Sequence, residues 1–432
     1  MQSTVRHLTF LEQWDPASSR NPLHSTLGVR MSSPKVLLAF SGGLDTTFCL
    51  VYLKEQGYEV HTATVDTGGF SPEEIERIQN LSHSLGAKSH TLINAQNDLF
   101  EHYLKFLIFG NVLRGQVYPL SVSAERVCQA RSLVTFAKKL GVGALAHGST
   151  GSGNDQVRFD VAFRTLYPEA TIHTPIRELS LSRQEEISYL AQHGVNIPAK
   201  TGTYSINEGM WGISIGGKET LSSWDFLPES AFPKGAISRQ QPAQELHITF
   251  EKGVPTQVNH QAMNPVQLIK TLNSLGSSLG LGRGTHLGET ILGIKGRISF
   301  EAPAAYLLIT AHRELEKLVL SGKQLFWKET LGNLYGSLLH EGYFLDPLSR
   351  DLESFLGHSQ ERVTGEVRLK IEPLAFSVLG CRSPFSLMNS QLAQYGESNA
   401  LWSHTDALGF TKIFGVSQQL HHHVETRHNQ ES

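Results

Sequence analysis

Residues 36–47 read VLLAFSGGLDTT, and this stretch decides the fold. Val36 to Phe40 is a short apolar run, the pattern of an interior parallel strand. Ser41-Gly42-Gly43 follows as a sharp turn that lets backbone approach a ligand. Asp45, Thr46 and Thr47 then open a helix that runs through Leu53 and stops at Gly57. The free N–H groups of such a helix start favour phosphate. The turn is not a Walker A loop, because no GxxxxGK[ST] is present.

Working outward, strands and helices alternate. Glu59 to Val65 reads as a second strand ending at Asp66-Thr67-Gly68-Gly69. Ser71 to Leu85 is a helix with Ser71 as cap, Pro72 at its first position and Glu74 closing a capping box. Lys88 to Ile93 is a third strand, Asp98 to Phe109 and Ala124 to Leu140 are helices, and Ala144 to Ala146 is a short strand leading into His147-Gly148. Ser182 to Gln192 is a further helix with a second capping box, Ser182 and Glu185. This rhythm predicts an α/β fold with an open, Rossmann-like parallel sheet whose ligands gather at the carboxyl ends of its strands.

From about residue 200 the pattern predicts an α+β region. Residues 248–259 read as a hairpin turning at Lys252-Gly253, 289–300 and 306–310 as strands, and 264–275 and 311–339 as helical. Ser383 to Leu420 has a helical start and leads into a histidine-rich tail, in which His421, His422, His423 and His428 are possible metal donors but read better as a solvated end. The expected organisation is an extension over 1–30, a nucleotide-binding domain over 31–200, a second domain over 201–382 and a C-terminal helix and tail over 383–432.

Composition excludes several classes. The 432 residues carry a formal charge of −3, which leaves no basic footprint for nucleic acid. No apolar run approaches the length of a membrane span. Cys49, Cys128 and Cys381 are scattered, which fits a reduced, cytoplasmic protein without a disulfide framework. The first 30 residues lack the apolar core of a signal peptide and contain Glu12 and Asp15, so they read as an extension or an early start ahead of Met31.

Four further stretches carry chemistry. Residues 147–160, HGSTGSGNDQVRFD, pack Gly148, Gly151 and Gly153 beside Thr150, Asn154, Asp155 and Arg158. Asn154 and Asp155 can hold an α-amino group, and Arg158 can clamp a carboxylate in forked geometry. Residues 118–131, YPLSVSAERVCQAR, supply Tyr118, Ser121, Ser123 and Arg126. Residues 204–215, YSINEGMWGISI, supply Ser205 and Ser214; alone they read as a loop. Glu289 alone reads as a solvated strand charge.

Together, SGGLDTT, HGSTGxGNDQVRFD, the Tyr-Ser-Arg stretch and YSINEGMWG occur in the order and spacing of one family. From about Lys35 onward the chain resembles the argininosuccinate synthases, members of the N-type ATP pyrophosphatases, and the first domain is then adenine nucleotide alpha hydrolase-like. The resemblance implies a cytoplasmic homotetramer that joins L-citrulline to L-aspartate with ATP and Mg²⁺, through a citrullyl-adenylate. Carried over, Ala39, Phe40, Ser41, Gly42, Gly43, Leu44, Asp45, Thr46, Thr47, Val65 and Gly148 would hold ATP. Thr150, Asn154, Asp155, Tyr118, Ser123 and Arg126 would meet aspartate. Citrulline would meet Tyr118, Ser123, Asn154, Arg158, Ser205, Ser214 and Glu289. Asp45, Asp155 and Arg158 would carry the catalytic roles, and no protein metal site is expected.

The chain departs from the family at several positions. Ser152 stands where lysine is common, with Lys218 or Arg283 as possible replacements; Phe300 stands where tyrosine is frequent; Val122 and Gly216 replace polar residues. These departures leave room for a modified, citrulline-like acceptor or for an inactive nucleotide-binding regulator. A glutamine-dependent synthetase or a tRNA thiolase is disfavoured, because no glutaminase-like segment, positioned cysteines or basic surface is present.

Overall fold

The computed structural model describes residues 33–196, 204–388, 392 and 401–431. The extension over 1–30 lies outside the described residues.

The first half alternates as the sequence predicts and adds three elements that the sequence reading did not name, over 154–166, 171–173 and 175–178. In order come β1 (Lys35–Ala39), α1 (Leu44–Glu55), β2 (Glu59–Asp66), α2 (Pro72–Ser84), β3 (Ser89–Asn94), α3 (Gln96–Leu99), α4 (Lys105–Phe109), α5 (Ser123–Leu140), β4 (Ala144–Ala146), α6 (Asn154–Leu166), β5 (Thr171–His173), α7 (Pro175–Glu178) and α8 (Arg183–Gln192). The expected helix over 98–109 begins earlier and contains a π-helical turn at Phe100–Leu104. The capping boxes of α2 and α8 form as expected. The sheet is parallel in the order β3-β2-β1-β4-β5. Its order reverses between β1 and β4, so the turns after these two strands flank the crevice where ligands of open α/β sheets bind.

The second half contains β6 (Ser205–Gly209), β7 (Gly212–Gly216), β8 (Gln244–Glu251), β9 (Val254–Val258), β10 (Gln261–Ala262), α9 (Pro265–Ser278), β11 (Arg283–Glu289), β12 (Lys295–Glu301), α10 (Pro303–Val319), α11 (Gly322–Glu341), α12 (Pro347–Ser359), β13 (Gly365–Glu372), β14 (Ala375–Arg382), α13 (His404–Phe414) and α14 (Val416–Glu431). These strands form two antiparallel sheets, β10-β9-β8-β13-β14 and β11-β12-β7-β6.

Three expectations are corrected here. The strand read over 306–310 is helical, the first turns of α10. Its YLLIT run looks like a strand in isolation, but Ala304, Leu307, Leu308, Ala311 and Leu315 are buried at helical spacing. The strand read over 289–300 is a hairpin: β11 ends at Glu289, and Thr290 N–H donates to Ile294 O at 2.8 Å across the turn. The helix read over 311–339 is two helices, broken at Leu320-Ser321, where Ser321 and Gln324 form a capping box. The helical start expected near Ser383 falls partly outside the described residues; α13 begins at His404 behind the cap Ser403.

The main core crosses the expected boundary near residue 200. Leu99, Leu104, Leu107 and Val127 share one buried cluster with Trp211, Phe300, Leu308 and Tyr335. A buried polar network does the same. Asn111 Nδ2 donates to Glu316 Oε2 at 2.6 Å, Lys328 Nζ pairs with the same oxygen at 2.9 Å, and Gln360 Nε2 donates to Glu316 Oε1 at 2.9 Å. A fully buried carboxylate is tolerated only with such a set of donors.

Candidate active site

The phosphate turn is built from backbone. Gly43 caps α1 without a side-chain bond, so the first N–H groups of the helix remain open, and Gly42 takes φ of +67°. Ser41 and Thr46 brace the turn through their hydroxyls at 3.2 Å. Phe40, Leu44 and Val65 are core residues, 3%, 5% and 6% exposed, so any contact they make to a nucleotide is through backbone or an edge. Thr47 is buried and its Oγ1 lacks a partner.

The second turn packs directly on the first. His147 Nε2–H donates to Asp160 Oδ1 at 2.8 Å, and His147 Nδ1 accepts from Ser149 N–H at 3.2 Å, which fixes one tautomer and the entry to the turn. A Cβ on Gly148 would lie 3.2 Å from both the Asp45 carbonyl carbon and the Thr46 nitrogen. Glycine allows this approach, and a side chain here would have to push the backbone of the first turn back by a few tenths of an ångström.

Asp45 points away from a purely capping role. It faces Glu186 of α8; burial raises its pKa, opposed by Arg183 and by a hydrogen bond with Glu186. Burial, with Asp45 adding to it, pushes the Glu186 carboxyl up to about 8. Glu186 Oε2 is buried without a partner. The two carboxyls therefore share a proton near neutral pH.

Beside the second turn lies a charge cluster. Asp155 Oδ2 accepts from Arg126 Nε and Asp155 Oδ1 from Arg158 Nη1, each at 2.8 Å. Burial alone would raise the Asp155 carboxyl, but the two guanidiniums overcome it and hold the group at about 2. Arg126 also donates to Gln129 Oε1 at 3.2 Å and to Asn207 Oδ1 at 2.6 Å, linking α5, α6 and β6. Asn154 Oδ1 accepts from Ile291 N–H at 2.9 Å, which ties the start of α6 to the β11–β12 turn. Thr150 is exposed at the mouth of this turn.

Tyr118, from the loop before α5, and Ser123, at the first position of α5, join the cluster. The Tyr118 ring stacks on His286 with centroids 5.6 Å apart and packs against Phe300 at 5.4 Å. Ser214 is buried and pairs in register with both Phe300 and Asn207, which places it on the same sheet face; Ser205 lies two positions from Asn207 on that face, exposed at the strand start. Glu289 is different. It lies three positions after His286, on the opposite face of β11, and pairs with Lys295 Nζ at 2.6 Å in solvent. The register thus sets its side chain apart from the Tyr118 cluster.

Neither expected replacement for the lysine at Ser152 stands at the phosphate turn. Lys218 pairs with Glu219 at 3.1 Å, and Arg283 pairs with Glu301 at 3.1 Å while covering the Phe232 ring. The cations beside the turns are ones the sequence did not single out. Arg77 of α2 reaches Gly42 O at 3.5 Å, and Arg177 of α7 packs along Gly151 while bonding Gln156 Oε1 at 2.9 Å.

Two further residues were missed. His340, at the end of α11, accepts at Nδ1 from Ser123 Oγ–H at 3.0 Å and from Arg158 Nη2 at 3.1 Å, and Arg158 Nε donates to its carbonyl at 2.9 Å. Burial, with Arg158 and Arg114 nearby, drives its pKa down to about 2, so the ring is neutral with its proton on Nε2. Glu125 is 1% exposed, and burial lifts its carboxyl to about 8 against the pull of Arg126. It fills the space that a side chain at position 209 would take: a Cβ on Gly209 would lie 1.7 Å from Glu125 Oε1. No local pattern signals either residue, because their partners come from distant elements.

A parallel sheet of this order, with two glycine-rich turns in contact at its switch point, defines an α/β nucleotide-binding domain; residues 35–196 match the arginosuccinate synthase N-terminal HUP domain. Residues 204–421 match the arginosuccinate synthase C-terminal domain. The chain is 40% identical over 401 residues to the argininosuccinate synthase of Xanthomonas campestris, covering 91% of this chain and 100% of that one. It is 38% identical over 389 residues to that of Methanocaldococcus jannaschii (89% and 97% covered) and 37% over 393 residues to that of Dictyoglomus turgidum (90% and 98% covered). The chain belongs to the argininosuccinate synthase family.

Proposed function

We propose that this chain condenses L-citrulline with L-aspartate, using ATP, to give argininosuccinate, AMP and diphosphate. The observation that carries this reading is the contact of Gly148 with Asp45 and Thr46, which sets the amino-acid cluster directly against the phosphate turn. In the first step the citrulline ureido oxygen forms a bond to the α-phosphorus and the bond to diphosphate breaks. The open N–H groups at the start of α1, with Arg77, take up the charge on the departing diphosphate. In the second step the aspartate amine forms the new C–N bond and AMP leaves. This step is chiefly one of positioning. Asp155 is the group to hold an ammonium, and Arg126 and Arg158 to hold carboxylates. Ser123 and the neutral His340 fix Arg158 in place.

Mg²⁺, when bound, would neutralise triphosphate charge. Asp45, and Glu186 on loss of the proton they share, would be the carboxylate oxygens to hold it. We also propose a homotetramer, supported by the exposed apolar residues Phe410, Ile413, Phe414, Leu420 and Val424 on α13 and α14. Among the described residues no helix is long and apolar enough to cross a membrane.

The test is AMP release by the purified protein with ATP, citrulline and aspartate. AMP that depends on both amino acids supports the proposal, and absence of AMP with all three overturns it. Phe300, which has no hydroxyl to offer beside Tyr118, favours a second reading in which the acceptor is acylated on its α-amine. The same assay with N-acetylcitrulline separates the two.

A further inference from the structure

The outer face of the sheet β10-β9-β8-β13-β14 carries a group of donors that takes no part in the proposed ligase chemistry. His247 of β8, His260 of the β9–β10 turn and Glu366 of β13 bring one ligand atom each to within 4.8 Å of one another. His247 Nδ1 lies 2.6 Å and His260 Nδ1 3.7 Å from the same oxygen, Glu366 Oε1. The second carboxylate oxygen, Oε2, is taken up by Arg382, whose Nε donates to it at 2.8 Å. This leaves Oε1 as the oxygen on which both imidazoles converge.

The arrangement is held by backbone. Asn259 N–H donates to His247 O at 2.8 Å, and His247 N–H donates to Asn259 Oδ1 at 2.9 Å. Asn259 and His260 both adopt positive φ, +48° and +64°, which folds the turn back over β8 and sets the two rings 4.8 Å apart. Val258 pairs with Gln261, so Asn259 and His260 are the two-residue loop of a hairpin, whose type I′ turn takes positive φ at both positions. Around the three donors lies an open groove of about 450 Å³, which leaves a coordination position facing solvent.

We propose that His247, His260 and Glu366 form a binding site for a zinc-class divalent cation, distinct from the nucleotide and amino-acid sites. Two imidazoles and one carboxylate with a fourth, open position are a donor set that Zn²⁺ takes. Mg²⁺ and Ca²⁺ prefer all-oxygen shells and fit it poorly. Ligands about 2.1 Å from a tetrahedral ion lie about 3.4 Å apart. The His260 contact is already close to that spacing, and the ion would take the place of the His247 Nδ1 hydrogen bond to Glu366. Arg382 on Oε2 and Glu245, 3.5 Å from His247 Nε2, orient the ligands from behind. A bound ion ties the β9–β10 turn to the β13–β14 hairpin and stabilises that sheet.

The test is Co²⁺ titration of the full-length protein, read by visible absorption, with Zn²⁺ thermal-shift measurements in parallel. Expected are one Co²⁺ per chain with the intense absorption of four-coordinate cobalt, and a higher Tm with Zn²⁺. In His260→Ala, whose side chain is 63% exposed, Co²⁺ affinity falls at least about tenfold while the metal-free Tm and the ligase activity stay unchanged. His260→Gln, which keeps the polarity of the turn, behaves as the alanine variant does. A chain carrying His421→Ala, His422→Ala and His423→Ala binds Co²⁺ as the parent does. No Co²⁺ binding by the parent, unchanged binding in His260→Ala, or loss of binding in the tail variant overturns the proposal.

Discussion

The phosphate turn and the arginine–aspartate cluster touch each other, yet they are built from different materials. The turn is backbone, with glycines and a bare helix start held by a hydroxyl pair five residues apart in a single stretch. The cluster is side chains, with Asp155 held by Arg126 and Arg158 and these in turn by Asn207 and the end of α11. The first is complete within one stretch; the second is completed only when Asn207 and the end of α11 from the second half of the chain pack onto its arginines. The two also respond to protons in opposite directions. Asp155 is held low by its arginines, and Glu186 beside the turn is held high by burial.

Asp155→Asn is expected to have the largest effect, because it leaves two guanidiniums facing each other without their counter-charge. Unfolding free energy should fall on the order of 3 kcal/mol, and AMP release by more than about a hundredfold. A variant of parental stability and rate would show that the cluster is not the side-chain keystone described here. Next is Gly148→Ala, which pushes the two turns apart at a 3.2 Å contact. The expected result is a kcat/KM for ATP lower by about ten- to a hundredfold with Tm nearly unchanged, a split that steady-state kinetics and calorimetry resolve.

The proton responses give the third test. The Asp155 pKa is depressed from about 4, so its stabilisation is present above pH 4 and is lost as pH falls toward 2. The Glu186 pKa is raised, so the advantage it gives the fold is complete below about pH 4.5 and is lost as pH rises to about 8. Glu186→Gln should therefore flatten the decline in stability between pH 5 and 8, by on the order of 1 kcal/mol per pH unit at most. An unchanged slope in denaturant titrations would remove the shared proton from the account. Smallest is Ser152→Lys, which adds an exposed cation at the second turn. KM for ATP should fall about two- to threefold at low salt and hardly at all at high salt.

The same contrast explains what the sequence made legible. The parallel sheet, its turns and the two capping boxes follow from local residues, and the structure reproduces them within a few positions. Signals shorter than their element misled. Residues 306–310 are apolar and β-rich, but seventeen residues of α10 set the period. The hairpins β6–β7 and β13–β14 passed unread, although Val367, Leu369 and Ile371 of β13 alternate with Arg368 and Lys370 and are fully buried. In the site, motif residues were legible, whereas His340, Arg77 and Glu125 were not, since each acquires its role from a partner far along the chain. Glu289 was placed by resemblance, and strand register turns it to the other face.

Glu125 and Gly209 occupy a single volume, and this has a consequence for how the chain can change. Any side chain at 209 collides with the carboxylate, and shortening Glu125 alone opens a void beside Trp211. Single substitutions at either position are therefore each disfavoured, and the effects of changing both are not expected to add. Over time the two sites should drift together or not at all, so that among relatives they behave as one character written in two places.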